Sequence, residues 1–445
     1  MTVTQIQIIG GGLAGCEAAL FLADHGLSVT LYDMKPDGHT EVHKQDTLAE
    51  LVCSNSFRSD SLANAVGLLK AEMRLLGSAV MDAADRTRIP AGSALAVDRT
   101  GFSRLLTDRI LNHPNIEFIS EEITGFDPEK PGIYTILSPG PMASRGLTAF
   151  LKRLTSRRYL NFYDAIAPII SRDSIDETKT FMASRYDKGG ADYLNCPMDR
   201  ESYLSFYKAL INAETVNLRG FEKDRKLFEG CLPVEEIARR GKDALCFGPL
   251  KPVGLRHPET GKASHAVVQL RAEDNEGQYF NLVGFQTHLK QGEQRKVFRM
   301  IPGLEAAQFE RYGSMHRNTF INSPELLNGD FSMKKYPSLY VAGQISGVEG
   351  YLESAASGLI AAVSILLREN GLENQIFPEA SMLGGLSRHV STFKANFQPS
   401  NVIFAMVPAP ETRIRGGRKA RREFLSNRAL QALERFLSNY PILNY

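Results

Sequence analysis

The sequence predicts an α/β fold: a Rossmann-like dinucleotide-binding domain made of two separated stretches of chain, with an α+β insertion between them. Three observations carry this. IQIIGGGLAGCEAALFLADHGLSVTLYDM, near the N-terminus, begins as a short apolar strand, makes a Gly-rich turn, takes helical spacing at Ala14, Ala18 and Leu22, and ends in a second strand. Some three hundred residues later, SLYVAGQISGVEGYLESAASGLIAAVSIL repeats the strand, turn and helix order without repeating the motif. The residues between read as short strands punctuated by Gly and Pro.

In the first stretch Gly10, Gly12 and Gly15 form G-x-G-x-x-G. They provide a tight turn, room for a diphosphate against the backbone, and close packing of helix on strand, with the diphosphate at the helix N-terminus. Gly10, Gly11, Gly12, Leu13, Ala14 and Gly15 are the expected cofactor-binding residues, and Asp33 closes the second strand where a carboxylate accepts from a ribose hydroxyl. The second stretch decides between cofactors. A strand from Leu339, a Gly343-Gln344 turn, Gly347 and a long helix of small residues are how a two-part FAD domain closes over its flavin, so Gly343, Gln344 and Gly347 join the site. No second G-x-G-x-x-G occurs in the interior, so NADH or NADPH is expected to bind transiently against the flavin rather than in a domain of its own.

The expected organisation is therefore an FAD domain in two halves, 1–150 and 306–400, an insertion over 151–305, and a basic C-terminal helical tail over 401–445. Strands are expected in FYDAIAPIISRDSID, SRYDKGGADYLNCPM, LCFGPLKPVGL, ASHAVVQLRAED and YFNLVGFQTHL, and helices in DRESYLSFYKALINAE and PVEEIARRG.

Composition narrows the function. With 445 residues, 43% apolar and 23% charged, the chain has material for a large core, and a net charge of +2 leaves any anionic partner to a local patch. Two patches qualify: six basic residues between Arg413 and Arg422, and Lys152 to Arg158. The N-terminus lacks the marks of a signal peptide and no long uncharged apolar run is seen, so a cytoplasmic protein without a membrane anchor is expected. Five cysteines, at 16, 53, 196, 231 and 246, form neither a C-x-x-C pair nor a metal-ligand spacing. Cys16 and Cys246 lie in apolar settings suited to packing. Cys53, in a polar loop, and Cys231, just before a helix start at Pro233, are the candidate reactive thiols, because a helix N-terminus or nearby Arg and Lys stabilise a thiolate.

The strings AELVCSNSFRSDSLANAVGLLKAEM, PAGSALAVDR, SRYDKGGADYLNCPM, FEGCLPVE, FGPLKPVGL, VGFQTHLK, RYGSMHRNTFINSP and AGQISGVEGYLESAASGL closely resemble the folate- and FAD-dependent tRNA (uracil-5-)-methyltransferases, the TrmFO family, from Ile6 to about Asn401. They differ from the insertion strings of the larger, related GidA flavoproteins. The resemblance implies methylation of carbon 5 of a uridine in the T loop of tRNA, with methylenetetrahydrofolate as donor, FAD as one-carbon carrier and NADH or NADPH as reductant. Carbon 5 is a poor nucleophile until a thiolate adds to carbon 6, and its proton must later leave to a base. The family assigns addition to the match of Cys231 and proton removal to the match of Cys53; the chemistry of the two thiols also allows the converse. The target base must be extruded from its loop, and Tyr186 and Arg185 are candidates to stack on it. Two departures stand out. LSPGP places Ser138-Pro139 where the family reads Ala-Thr-Gly-Pro, which puts an FAD contact in doubt, and Asp33 replaces the commoner Glu. The same chemistry on a ribosomal RNA uridine, and a GidA-like tRNA-modifying flavoprotein, are the alternative readings.

Overall fold

The computed structural model describes residues 5–40, 43–140, 143–155, 160–216, 232–372, 377–394, 397–412 and 414–444. Its centre is a five-stranded, all-parallel sheet in the order Leu339–Val341, Ile133–Leu137, Gln5–Ile9, Val29–Asp33, Ile116–Ser120. The chain winds outward in one direction from Gln5–Ile9 and in the other from Ile133–Leu137. The order therefore reverses between these two strands, and ligands of open α/β sheets bind in the crevice at such a point.

Two helices pack across the sheet. Leu13–Asp24 and Tyr351–Glu369 approach so closely that a Cβ on Gly358 would lie 2.1 Å from the carbonyl oxygen of Ala14, which is why small residues line both. The second helix is 19 residues long and apolar enough to span a membrane by composition, yet 83% of its most apolar window is buried inside the protein. It is a core helix, and its interior position accounts for its hydropathy.

The insertion has its own core. Six antiparallel strands run in the order Phe181–Met182, Tyr193–Met198, Ala266–Ala272, Tyr279–Leu282, Ile169–Ser171, Phe309–Arg311. Their apolar face packs on helices Arg200–Asn212, Val234–Arg239 and Gln291–Phe298 around Phe206, Phe285 and Phe298. This core draws on residues from Ile170 to Ala307. A two-stranded ribbon, Leu160–Ile166 with Ser314–Phe320, joins it to the parallel-sheet domain. One expected strand is absent: LCFGPLKPVGL folds as a single helical turn, Ala244–Phe247, followed by hydrogen-bonded turns, because the Gly and Pro residues break any ladder.

The C-terminal helix, Gly417–Asn439, is no free tail. Leu425, Ala429, Leu433 and Leu437 enter the main core, and Ser426 Oγ donates to the carbonyl of Leu62 at 2.7 Å.

A dinucleotide cradle crossed by a cysteine loop

The Gly-rich turn leaves the strand Gln5–Ile9 and enters the helix Leu13–Asp24 with Gly12 as N-cap, and no side chain caps that end. Its first N–H groups are thus left for an anionic ligand. A Cβ on Gly15 would lie 1.9 Å from the Gly10 carbonyl oxygen, whereas a Cβ on Gly12 would meet nothing within 4 Å. Gly15 serves packing; Gly12 keeps open the space a diphosphate would fill. Leu13 and Ala14 are buried at the start of the helix.

Asp33 stands at the end of the second strand. Its Oδ2 accepts from the Gly11 N–H at 2.6 Å and its Oδ1 from the Lys35 N–H at 2.9 Å, which fixes the carboxylate beside the turn with lone pairs to spare for a hydroxyl. Ser138 ends the neighbouring strand and donates from Oγ to the Gly10 carbonyl at 2.9 Å. The serine of the LSPGP departure thus tethers the turn across the switch point. Gly343 brings the second half of the domain to the same place: its N–H donates to Ser357 Oγ at 2.7 Å, and a Cβ there would lie 3.5 Å from that of Ala14. Gln344 Nε2 donates to Glu349 Oε2 at 2.6 Å, and Gly347 packs on Phe397 while its carbonyl accepts from His389 Nε2. Gln344 holds this turn through a contact within it, and Gly347 through His389 and Phe397 further along the chain.

Cys53 lies on a loop that crosses this cradle. The Ala49 N–H donates to the Gly11 carbonyl at 2.9 Å, anchoring one end on the Gly-rich turn. Four residues on, the N–H groups of Cys53 and Ser54 both donate to the hydroxyl of Tyr351, at 2.6 and 3.0 Å, and Tyr351 is the first residue of the second long helix. Burial keeps that phenol protonated, its pKa pushed far up. The insertion holds the loop from the other side. Arg271 donates to Asn55 Oδ1 at 2.9 Å and to Ser54 Oγ at 2.8 Å, and Arg311 donates to the Cys53 carbonyl at 3.1 Å. Arg99 pairs with the buried Glu273 at 2.7 Å and also donates to the Leu51 carbonyl. Arg99 and Arg311 both interact electrostatically with Cys53, in a cluster that also contains the Glu273 carboxylate paired with Arg99. Arg311 Nε is buried with no hydrogen-bond partner among the described residues.

Tyr351, Arg99, Arg271, Glu273 and Arg311 are site residues that reading along the sequence does not single out. They come from four segments, and only the tertiary fold places them around one loop. The other described thiols behave as packing. Burial pushes the pKa of Cys16 and Cys196 well above the usual thiol range, and Cys246, on the short helix, is raised by burial too. Cys231 lies outside the described residues, as do Arg413 and residues 156–159 of the second basic patch. Arg415, Arg418, Lys419 and Arg421 are exposed at the start of the C-terminal helix, whereas Arg422 donates to the Ala63 carbonyl. Arg185 donates in the plane of its guanidinium to Gln269 Oε1 at 2.8 Å and to the carbonyls of Lys251 and Val253, which fixes the orientation of the group.

A parallel sheet with its switch point at a Gly-rich turn, a second half returning to the same turn, and an antiparallel insertion define a two-part FAD-binding flavoprotein fold. Its class is that of the glucose inhibited division protein A family, whose description matches residues 5–373. Aquifex aeolicus GidA superposes with a TM-score of 0.70 at 17% identity, covering 99% of this chain and 75% of that one. The particular family follows from closer relatives. The Bacillus subtilis protein named methylenetetrahydrofolate--tRNA-(uracil-5-)-methyltransferase TrmFO is 51% identical over 435 residues, 98% of this chain and 99% of its own. Proteins of the same name from Natranaerobius thermophilus and Heliobacterium modesticaldum are 51% and 52% identical over 434 and 444 residues. The chain belongs to the TrmFO family.

Proposed function

We propose that this protein methylates carbon 5 of a uridine in the T loop of tRNA, taking the carbon from methylenetetrahydrofolate, with FAD as carrier and NADH or NADPH as reductant. The observation that supports it best is the Cys53 loop, tied at Ala49 to the Gly-rich turn and at Cys53 to Tyr351, so that a reactive side chain lies across the mouth of the dinucleotide cradle.

FAD, when bound, supplies the ring that takes up and passes on the one-carbon unit. This chain's residues do the rest. Gly10 to Gly15 seat the diphosphate and Asp33 accepts from the ribose, with Gly343, Gln344 and Gly347 closing the second wall. Cys231 adds to uracil carbon 6 and makes carbon 5 nucleophilic. After transfer, Cys53 takes the carbon 5 proton, with Arg99 and Arg311 placing positive charge beside the sulfur that must be a thiolate to do so. Once the two electrons that NADH or NADPH supplies have brought the carbon at C5 from the methylene to the methyl level, loss of the Cys231 sulfur from carbon 6 restores the C5–C6 double bond. Arg415, Arg418, Lys419 and Arg421 meet phosphates of the RNA.

Purified protein with FAD, unmodified tRNA transcript, methylenetetrahydrofolate and NADPH tests the reading by mass spectrometry of digested nucleosides. The expected product is one methyl group on a single T-loop uridine, lost when folate is omitted or that uridine is replaced by cytidine. Methylation of ribosomal RNA with tRNA untouched would overturn the choice of substrate.

A further inference from the structure

Tyr186 occupies a costly position. It and Asp187 are consecutive non-glycine residues in the left-handed region, with φ of 59° and 52°, a conformation that bulky side chains avoid and that persists only where the surroundings enforce it. The surroundings do enforce it. The Tyr186 N–H donates to the Gly254 carbonyl at 2.8 Å, Arg185 clamps the Lys251 and Val253 carbonyls, and Asp192 accepts from the Gly92 N–H at 2.6 Å, fixing the far end of the loop to the FAD domain.

The result is an aromatic ring presented outward. One face lies on Gly254, where a Cβ would come 2.8 Å from the ring, yet the residue remains 55% exposed. Val253 and Phe247, on the turns that Arg185 clamps or just before them, are also exposed, at 56% and 86%. These apolar groups sit in a cationic stretch: residues 239–265 carry six Lys or Arg against two Asp or Glu. Rings interleaved with positive charge suit a base and its phosphates better than an apolar protein surface.

The ring is near the site without being in it. Tyr193 pairs in register with Arg271, which holds Ser54, and the Ala183 N–H donates to the Tyr193 carbonyl. Ala183 therefore lies two strand spacings from Arg271, roughly 10 Å, and Tyr186 stands three residues further along the chain. A uracil at Cys53 is out of its reach, and a neighbouring nucleotide is not. We propose that Tyr186 is a stacking platform for a nucleobase of the tRNA other than the target uridine, an inference that rests on the tRNA reading above.

The chain has no tryptophan, so Tyr186→Trp installs a single indole reporter at this spot. Its emission should be quenched saturably by tRNA and left unchanged by heparin, a polyanion without bases. In steady-state assays Tyr186→Ala should raise the KM for tRNA by about tenfold with kcat within twofold, and Tyr186→Phe, which keeps the ring, should restore it. Melting temperature and FAD content report whether each variant folds, and the Phe and Trp variants carry the test if the Ala variant does not. An unaltered KM in Tyr186→Ala, or equal quenching by tRNA and heparin, would overturn the platform. Failure of the wild-type protein to methylate tRNA would instead overturn the function on which it rests.

Discussion

The Gly-rich turn and the Cys53 loop touch each other, yet they are built in opposite ways. The turn makes its site from the backbone of six consecutive residues, with Asp33 and Ser138 holding it in place. The loop makes its site from side chains: Tyr351, Arg99, Arg271 and Arg311 converge on it from both halves of the FAD domain and from the insertion. A backbone site tolerates change everywhere except where a Cβ would intrude. A convergent site is sensitive at every contributor, because each satisfies buried groups of another.

The sharpest way to break this contrast lies in the turn. Gly15→Ala should prevent folding, since its Cβ would meet backbone at 1.9 Å, whereas Gly12→Ala should fold with the wild-type melting temperature of the FAD-free protein. The same Gly12 variant should lose FAD affinity by about a hundredfold or more, its methyl filling the diphosphate's place. A Gly12→Ala protein that purifies with full FAD would show that the cofactor does not approach this turn.

Tyr351→Phe probes the convergent side. It leaves the Cys53 and Ser54 N–H groups without their acceptor, at a cost of about 1–3 kcal/mol. Methylation should slow by more than about tenfold as the loop loosens, with FAD content unchanged by absorbance. Equal loss of FAD and activity would mean that the tyrosine serves the cofactor rather than the loop.

The smallest effect concerns the segment after the loop. Lys70 is buried, donates to the Ser59 carbonyl at 2.7 Å, and burial pushes its pKa down to about 7 in a setting shared with Asp60, Arg58, Arg74 and Glu353. From pH 7 upward toward its ordinary value the unfolded chain holds a proton that the folded chain has released, so stability rises with pH in that window, by at most about 1.4 kcal/mol per unit. Lys70→Met removes this contribution. Denaturant unfolding of both proteins should show the variant's relative advantage shrinking from pH 7 to pH 9, and parallel curves would place the ammonium in contact with solvent.

The contrast also explains what the sequence disclosed. Gly10 to Gly15, Asp33 and the Gly343 turn were legible because the constraint on each is local, a turn or a close approach with a fixed spacing. The second domain half was legible because its helix must be lined with small residues to meet the first. Tyr351 and Arg311 were not, because what makes them matter is an acceptor or donor supplied some 250 to 300 positions away. Reading LCFGPLKPVGL as a strand failed for a related reason: Leu245 reaches the core from a helical turn and Leu250 from the turn after it, and short apolar runs do not distinguish this from a strand.

If two thiols divide the chemistry at one uracil, covalent trapping separates their parts. On tRNA bearing 5-fluorouracil in the T loop, with FAD, methylenetetrahydrofolate and NADPH present, the wild-type protein should form a stable protein–RNA adduct, because fluorine cannot leave carbon 5 as a proton does. Cys231→Ala should form none, and Cys53→Ala should still form it while making no methylated product on ordinary tRNA. An adduct lost only in Cys53→Ala would reverse the two roles, and methylation retained by both variants would contradict the account.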